Sequence, residues 1–271
     1  MAEESGARKS GDTRGMLDVE GLRAAVDEES IDTVILAFAD LYGRLLGKRL
    51  DASFFLEDVV GGTHVCDYLF TADMEMEPVA GYEFSNWELG YGDMHLVPDL
   101  GTLRVVAWLD RSALVMCDAE LEEPGDGAHE AVAVAPRTML RRQVERLRGL
   151  GFVAMAGSEL EYYQFRTSYE EASASGYRDL QETGWYIEDY HLLQGARTED
   201  LNGAFRRGLA GSGVPVESTK GEFGRAQHEL NIRYAPVLEM ADRHLLVKQA
   251  VKEISDAAGA SATFMAKPDA T

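Results

Sequence analysis

The chain has 271 residues, of which 45% are hydrophobic and 27% are charged, and these proportions exclude a protein that is disordered throughout. Its 47 acidic and 26 basic residues give a formal net charge of −21, so the surface should repel nucleic-acid phosphates and anionic membranes. No apolar run approaches the roughly 20 residues needed to span a bilayer, and the polar N-terminus lacks the apolar segment of a secretory signal. We therefore expect a cytoplasmic protein with no nucleic-acid or membrane partner.

The N-terminal part of the chain has the pattern of a small β-rich domain. Residues 1–16 mix glycine, serine and charged residues without periodicity, which predicts a flexible tail. An apolar stripe beginning at Leu17 predicts a short helix. The apolar run over residues 33–50 predicts two strands, which the Asp and Gly of residues 40–43 join in a turn. Further strands are predicted at residues 101–110 and 113–118.

An acidic stretch at residues 120–130, which contains one proline and two glycines, predicts a domain boundary. Beyond it, apolar residues recur at helical spacing between strand-like runs, so the fold class is α+β. We expect a tail at 1–16, an N-terminal domain at 17–125 and a second domain at 126–271. The predicted helices begin near Pro136, after Thr198 and near Val237, and the predicted strands cover residues 152–165, 214–223, 227–234 and 262–268.

Five glutamates are the strongest chemical signal. Glu159 and Glu161 are two residues apart in a predicted strand, so their side chains share one face. This pattern alone also fits an exposed edge strand, but Glu217, Glu222 and Glu229 follow in strand-like segments. Carboxylates gathered on neighbouring strands repel unless a cation lies between them. Oxygen ligands favour Mg²⁺ or Mn²⁺, and these ions point to a nucleotide-dependent enzyme, which here lacks a P-loop motif.

Three segments that contain these glutamates resemble signature regions of the glutamine synthetase family. They are SELEYYQF, VESTKGEFGRAQHELNIRY and ATFMAKP, in the order of that family. FADLYGRLLGKRL resembles the entry strands of the family's β-grasp domain, and MHLVPDLGTLRVVAWL resembles its next signature block. The resemblance covers about residues 17–271. It implies an N-terminal β-grasp domain followed by the first part of a glutamine synthetase-type catalytic α/β domain.

The resemblance also implies roles for individual residues. Glu161, Glu222 and Glu229 match the ligands of the divalent ion that faces glutamate, and Glu159 matches a ligand of the ion that holds the ATP phosphates. Glu217 and Tyr234 match positions near the nucleotide. The implied cofactors are ATP and Mg²⁺, or Mn²⁺ in its place.

The implied reaction belongs to nitrogen metabolism and has two steps. The γ-carboxylate of glutamate attacks the γ-phosphate of ATP and forms γ-glutamyl phosphate, and an amine then displaces phosphate to leave an amide. In ammonia-using members, an Asp-Gly-Ser-Ser loop supplies a catalytic aspartate. Asp67 matches that aspartate, but Tyr-Leu-Phe replaces Gly-Ser-Ser. The substitution favours the subgroup that joins glutamate to larger amines, such as polyamines or ethanolamine, with an ammonia-using glutamine synthetase as the alternative.

The end of the sequence adds a further expectation. In the family, the segment after F-M-x-K-P carries a histidine metal ligand, a flap glutamate and phosphate-binding arginines, which do not follow in these 271 residues. We therefore expect an incomplete catalytic domain, and in the full-length form a homo-oligomer of stacked rings. A third alternative is a truncated, non-catalytic paralogue that binds metal or assembles with full-length subunits.

Overall fold

Two β-sheets and the helices that cover them make up the computed structural model, which describes residues 14–122 and 129–268. The strands are β1 (Thr33–Ala39), β2 (Leu45–Asp51), β3 (Thr63–Cys66), β4 (Asp93–Pro98), β5 (Arg104–Val105), β6 (Ser112–Glu122), β7 (His129–Ala131), β8 (Met155–Phe165), β9 (Val216–Gly221), β10 (Gln227–Pro236) and β11 (Ser261–Thr263). The α-helices are α1 (Val19–Asp27), α2 (Ala52–Phe54), α3 (Pro136–Gly149), α4 (Tyr169–Ala174), α5 (Leu192–Gly195), α6 (Glu199–Gly211) and α7 (Val237–Ala257). A π-helical turn (Phe55–Val59) follows α2, and 3₁₀ turns cover Asp67–Phe70 and Leu100–Thr102.

The N-terminal sheet is built around β1 and β6, which run parallel to each other. Its seven strands follow the order β2-β1-β6-β4-β3, and β5 and β7 also pair with β6. Both faces of β1 are covered, because Leu36 lies in one hydrophobic core and Ala37 in a second. The sequence of this strand, TVILAFA, is therefore a continuous apolar run and does not alternate between apolar and polar residues.

The second sheet is antiparallel, in the order β11-β8-β10-β9. Its inner face packs against α6 and α7, where Tyr162, Phe205, Leu230 and Val247 are buried in one core. Because side chains alternate along a strand, the neighbours of Leu230 and Tyr162 point to the other face. That outer face carries Glu159, Glu161 and Glu229.

A buried arginine joins the two halves of the fold. Arg137, in the first turn of α3, binds Asp99 at 2.7 Å, Asp118 at 2.6 Å and Asp242 at 3.0 Å. Asp118 belongs to β6 of the N-terminal sheet, whereas Asp242 belongs to α7 of the second half. One guanidinium therefore fastens the long helix to the N-terminal sheet.

The structure confirms most of the predicted elements. Pro136 begins α3, Thr198 is the N-cap of α6, and the predicted turn at residues 40–43 joins β1 to β2. The predicted strand at 101–110 is wrong, since only Arg104–Val105 is extended. There Thr102 folds back on Asp99 with both its amide and its hydroxyl, which turns the chain out of the sheet.

Parts of the remaining predictions fall outside the described residues, namely residues 1–13 of the tail and 123–128 of the boundary stretch. The last residues predicted as tail are ordered, because Met16 pairs with Arg104. Within the described ranges, every helix is too short or too polar to cross a bilayer.

Candidate active site

The strand register of the second sheet places three of the predicted glutamates in two adjacent rows. In the first row Glu161 of β8 lies opposite Glu229 of β10, and Glu229 lies opposite Lys220 of β9. In the next row Glu159 lies opposite Asn231, which lies opposite Ser218. Residues two apart on a strand share a face, so both rows point away from the core.

A lysine ammonium group lies between two of the carboxylates. Lys220 Nζ is 2.9 Å from Glu229 Oε2, contacts Glu222 as well, and lies 4.6 Å from the centre of the Tyr190 ring. The hydrogen bond from Lys220 holds the pKa of Glu222 below its usual range. Burial alone would lower the pKa of Lys220, but the hydrogen bonds and charges of Glu222 and Glu229 raise it. A cation therefore sits where the resemblance assigns two ligands to one metal ion.

Gln227 fixes the orientation of Glu161. Its Nε2 donates a 2.7 Å hydrogen bond to Glu161 Oε2, and its Oε1 accepts a 2.8 Å hydrogen bond from the Gly224 amide. A Cβ at Gly224 would lie 2.5 Å from Gln227 Oε1. Because residue 224 is a glycine, the turn can close tightly, and the Gly224 amide can fix the Gln227 side chain. That side chain in turn orients the Glu161 carboxylate.

The side-chain oxygens of these rows are suitable ligands for a hard divalent cation. Glu161, Glu222 and Glu229 offer carboxylate oxygens, and oxygen ligands are those that Mg²⁺ and Mn²⁺ prefer. In the neighbouring row, Asn231 Oδ1 is buried and has no hydrogen-bond partner within the described ranges. This amide oxygen can serve as a further metal ligand beside Glu159. The chemistry of the residues present thus fits the metal ions that the resemblance implies.

Two of the predicted residues lie at β-bulges. Asn231 pairs with Ser218 and Ile232 with Val216, so Glu217 is the extra residue of a bulge in β9. Tyr234 lies where the register between β10 and β8 shifts, and 63% of its surface is exposed. Bulges redirect side chains and occur often beside active sites, and both positions are open to a ligand.

Asp67 is the first residue of the 3₁₀ turn that follows β3 of the N-terminal sheet. Its Oδ1 accepts a 2.7 Å hydrogen bond from Ser85 Oγ, and its Oδ2 accepts a 3.1 Å hydrogen bond from the Gly92 amide. The Tyr68 and Tyr91 rings meet edge to face beside it, with centres 5.6 Å apart. Among the described residues, its side-chain hydrogen bonds join it to the segment before β4 and do not reach the glutamate rows.

A buried acid and base lie behind the glutamate rows. His228 Nε2 is 3.8 Å from Glu188 Oε2, and both side chains are almost fully buried. Burial lowers the pKa of His228 to about 4 and raises that of Glu188. The sequence alone did not identify Glu188, Lys220 and Asn231 as residues of this site. The acidic neighbours of Lys220 in the chain were the available signal.

Comparisons with known proteins show which family this chain resembles. The family model for the catalytic domain of glutamine synthetase matches residues 133–271. A gamma-glutamylethanolamide synthetase of Streptomyces coelicolor is 45% identical over 93% of this chain and 54% of its own length. A glutamate–isopropylamine ligase of a Pseudomonas species is 34% identical over 92% of this chain and 53% of its own.

A solved structure described as "Apo GmaS without ligand" superposes with a TM-score of 0.72. It is 22% identical and covers 91% of this chain and 53% of its own, so it supports the fold alone. The chain thus spans about half the length of the proteins it matches. Because the family model covers the whole second half, the chain belongs to the glutamine synthetase family.

Proposed function

We propose that this chain supplies part of an ATP-dependent ligase that forms a γ-glutamyl amide from glutamate and an amine. The observation that carries the proposal is the register-matched row of Glu161 and Glu229, with Glu222 joined to it through Lys220. Such a set of carboxylates can hold divalent ions between two anionic substrates. The similarity to an ethanolamide synthetase and to an isopropylamine ligase supports amines as the second substrate.

The chain's own residues would bind and orient the reactants. Glu161, Glu222 and Glu229 would hold one divalent ion, and Glu159 would contribute to the site of another. Bound Mg²⁺ neutralises charge on a phosphoryl group during transfer. The hydrogen bond from Gln227 keeps Glu161 in one orientation without adding charge, so less reorganisation is needed when the substrates bind.

The proposed reaction has two steps. An oxygen of the glutamate γ-carboxylate bonds to the γ-phosphorus of ATP, and ADP leaves. The amine nitrogen then bonds to the γ-carbon, phosphate leaves, and the nitrogen loses a proton. In the proposed homo-oligomer we assign that proton to Asp67 of a neighbouring subunit, where hydrogen bonds from Ser85 and Gly92 orient its carboxylate.

The surroundings of Asp67 favour an alkyl amine over ammonia. Tyr68 and Tyr91 form an aromatic surface beside it, and Trp87 extends this surface with a ring centre 5.9 Å from that of Tyr91. Aromatic rings bury the alkyl group of an organic amine, which ammonia lacks. Ammonia would gain little from such a surface, so a primary amine with an organic substituent is the better fit.

The remaining assignments complete the proposal. Glu217 and Tyr234 would lie beside the nucleotide, because their positions at bulges make both side chains accessible to it. Residues 17–125 would form the β-grasp domain and residues 126–271 the first part of the catalytic domain. We propose that the full-length protein is a cytoplasmic homo-oligomer of stacked rings.

The test is phosphate release by the complete gene product with glutamate, ATP and Mg²⁺. Ethanolamine, isopropylamine and ammonium are compared as second substrates, and mass spectrometry identifies the amide. We expect organic amines to give the higher kcat/KM. Glu161→Gln should lower it about 100-fold or more, the scale of losing one charge-stabilising group. Glu145→Gln, an exposed change on α3, is the matched control and should leave the rate unchanged.

Each alternative has its own result. A clear preference for ammonium would identify a glutamine synthetase instead. Mg²⁺ binding without any phosphate release would favour the non-catalytic paralogue. A Glu161→Gln variant as active as the parent would refute the assignment of the glutamate rows.

A further inference from the structure

The outer face of the N-terminal sheet carries a row of imidazoles. His64 of β3 lies opposite His95 of β4, and His95 lies opposite Glu120 of β6. The strand neighbours Val65 and Met94 are buried in the first core, so alternation turns the row away from that core.

A second strand brings another histidine to the same face. Glu120 pairs with Ala131 of β7, and His129 lies two residues before Ala131. Residues two apart share a face, so His129 stands beside Glu120 on the outer side of the sheet. The ring centres of His95 and His129 are 4.9 Å apart.

The side chains converge on one point. One ligand atom each from His95, Glu120 and His129 lie within 4.8 Å of one another, and His129 Nδ1 is 3.9 Å from Glu120 Oε2. Around a tetrahedral ion with bonds of about 2.0–2.1 Å, ligand atoms are about 3.4 Å apart. Rotation of the exposed His129 side chain can shorten the 3.9 Å separation of its Nδ1 from Glu120 Oε2 to the distance that a bound ion requires.

We propose that His95, Glu120 and His129 bind a transition-metal ion, with Zn²⁺ as the first candidate and water as a further ligand. Two imidazoles and one carboxylate suit Zn²⁺ and its neighbours, whereas Mg²⁺ prefers oxygen ligands alone. This ion would therefore differ in kind from those of the glutamate rows in the other sheet.

Glycine at position 62 leaves room for the His95 ring. A Cβ at Gly62 would lie 2.4 Å from His95 Nε2, so any larger residue there would displace the imidazole. The bound ion would fasten β7 to β4 and β6. Since β7 ends only two residues before the segment that matches the catalytic-domain model, the ion would stabilise the point where that segment begins.

The test is Zn²⁺ binding to the complete, metal-depleted gene product, measured by calorimetry in a large excess of Mg²⁺ that saturates sites made of oxygen ligands. We expect one tight Zn²⁺ per chain. His129→Ala and Glu120→Gln should each weaken it at least tenfold, because a ligand contributes at least as much as its outer-shell partners, which are worth about 10–100-fold. Co²⁺ in place of Zn²⁺ should give visible absorption bands that His129→Ala abolishes.

His64→Asn is the matched control, since it changes an imidazole in the same row outside the converging group. It should change Zn²⁺ affinity less than threefold, and the metal-free variants should unfold at the temperature of the metal-free parent. Absence of Zn²⁺ binding in excess Mg²⁺ would overturn the proposal. So would undiminished binding by His129→Ala, or a loss in His64→Asn as large as that in His129→Ala.

Discussion

Replacing Arg137 with methionine removes the cation that joins the N-terminal sheet to α7 while nearly preserving the volume of the side chain. The arginine side chain is 6% exposed and that of Asp242 is 5% exposed. Without Arg137, the Asp242 carboxylate stays buried without the guanidinium that forms two hydrogen bonds to it. Removing one partner of a buried ion pair costs about 3–5 kcal/mol, and we expect Arg137→Met to lower the free energy of unfolding by that amount.

The pH dependence of this loss follows from Asp242. Burial raises the pKa of Asp242 more than the hydrogen bonds and charge of Arg137 lower it. Loss of the arginine should raise that pKa further. A carboxyl group with a raised pKa ionises more readily in the unfolded chain, so stability falls as pH rises through the range between the two values. The destabilisation should therefore be largest at neutral pH and smaller in mild acid, where Asp242 is protonated.

The assay is urea unfolding of parent and variants at neutral and mildly acidic pH, followed by tryptophan fluorescence. Arg141→Met is the matched control, because Arg141 binds Asp99 and Asp118 but is 38% exposed and should cost about 1 kcal/mol or less. Arg137→Met combined with Asp242→Asn should recover part of the loss. A loss below about 1 kcal/mol for Arg137→Met, or an equal loss at both pH values, would refute the reasoning.

Two further predictions concern stability. Burial lowers the pKa of His228 to about 4, so the unfolded chain binds the proton more readily than the folded chain. The free energy of unfolding should therefore fall from pH 6.5 towards pH 4 by up to about 1.4 kcal/mol per pH unit. His228→Gln should flatten this fall in urea midpoints, and an unchanged slope would contradict it. Gly47→Ala should cost more than about 2 kcal/mol in thermal unfolding, because its Cβ would lie 1.7 Å from Leu36 O, whereas Gly61→Ala meets nothing within 4 Å and should be neutral.

The elements that the sequence predicted well are those with several consistent signals. The helix α3 begins at a proline and ends before Gly151, and apolar residues recur between them at helical spacing. The shared face of Glu159 and Glu161 follows from alternation alone, because β8 is regular over this stretch. Local rules suffice where a strand or helix has no irregularity.

The features that escaped prediction depend on distant contacts. Strands β3 and β7 have only four and three residues, two of them histidines, and they become strands through pairing with β4 and β6. Alternation along β9 would place Glu217 on the face opposite Lys220, but the bulge makes that rule inapplicable. The position of Lys220 among carboxylates likewise depends on register across three strands, which no local pattern encodes.

The parallel pairing of β1 with β6 has a consequence for synthesis of the chain on the ribosome. The two partners, Thr33 and Ser112, are about 80 residues apart, so β1 emerges long before the strand that covers its edge. Until then it can form only a hairpin with β2, and isolated two-stranded hairpins are at best marginally stable in water. Until then the core around Leu36 and Phe38 lacks Val115 and Cys117 of β6, and nascent chains that stop before residue 112 should be the ones that most need a chaperone.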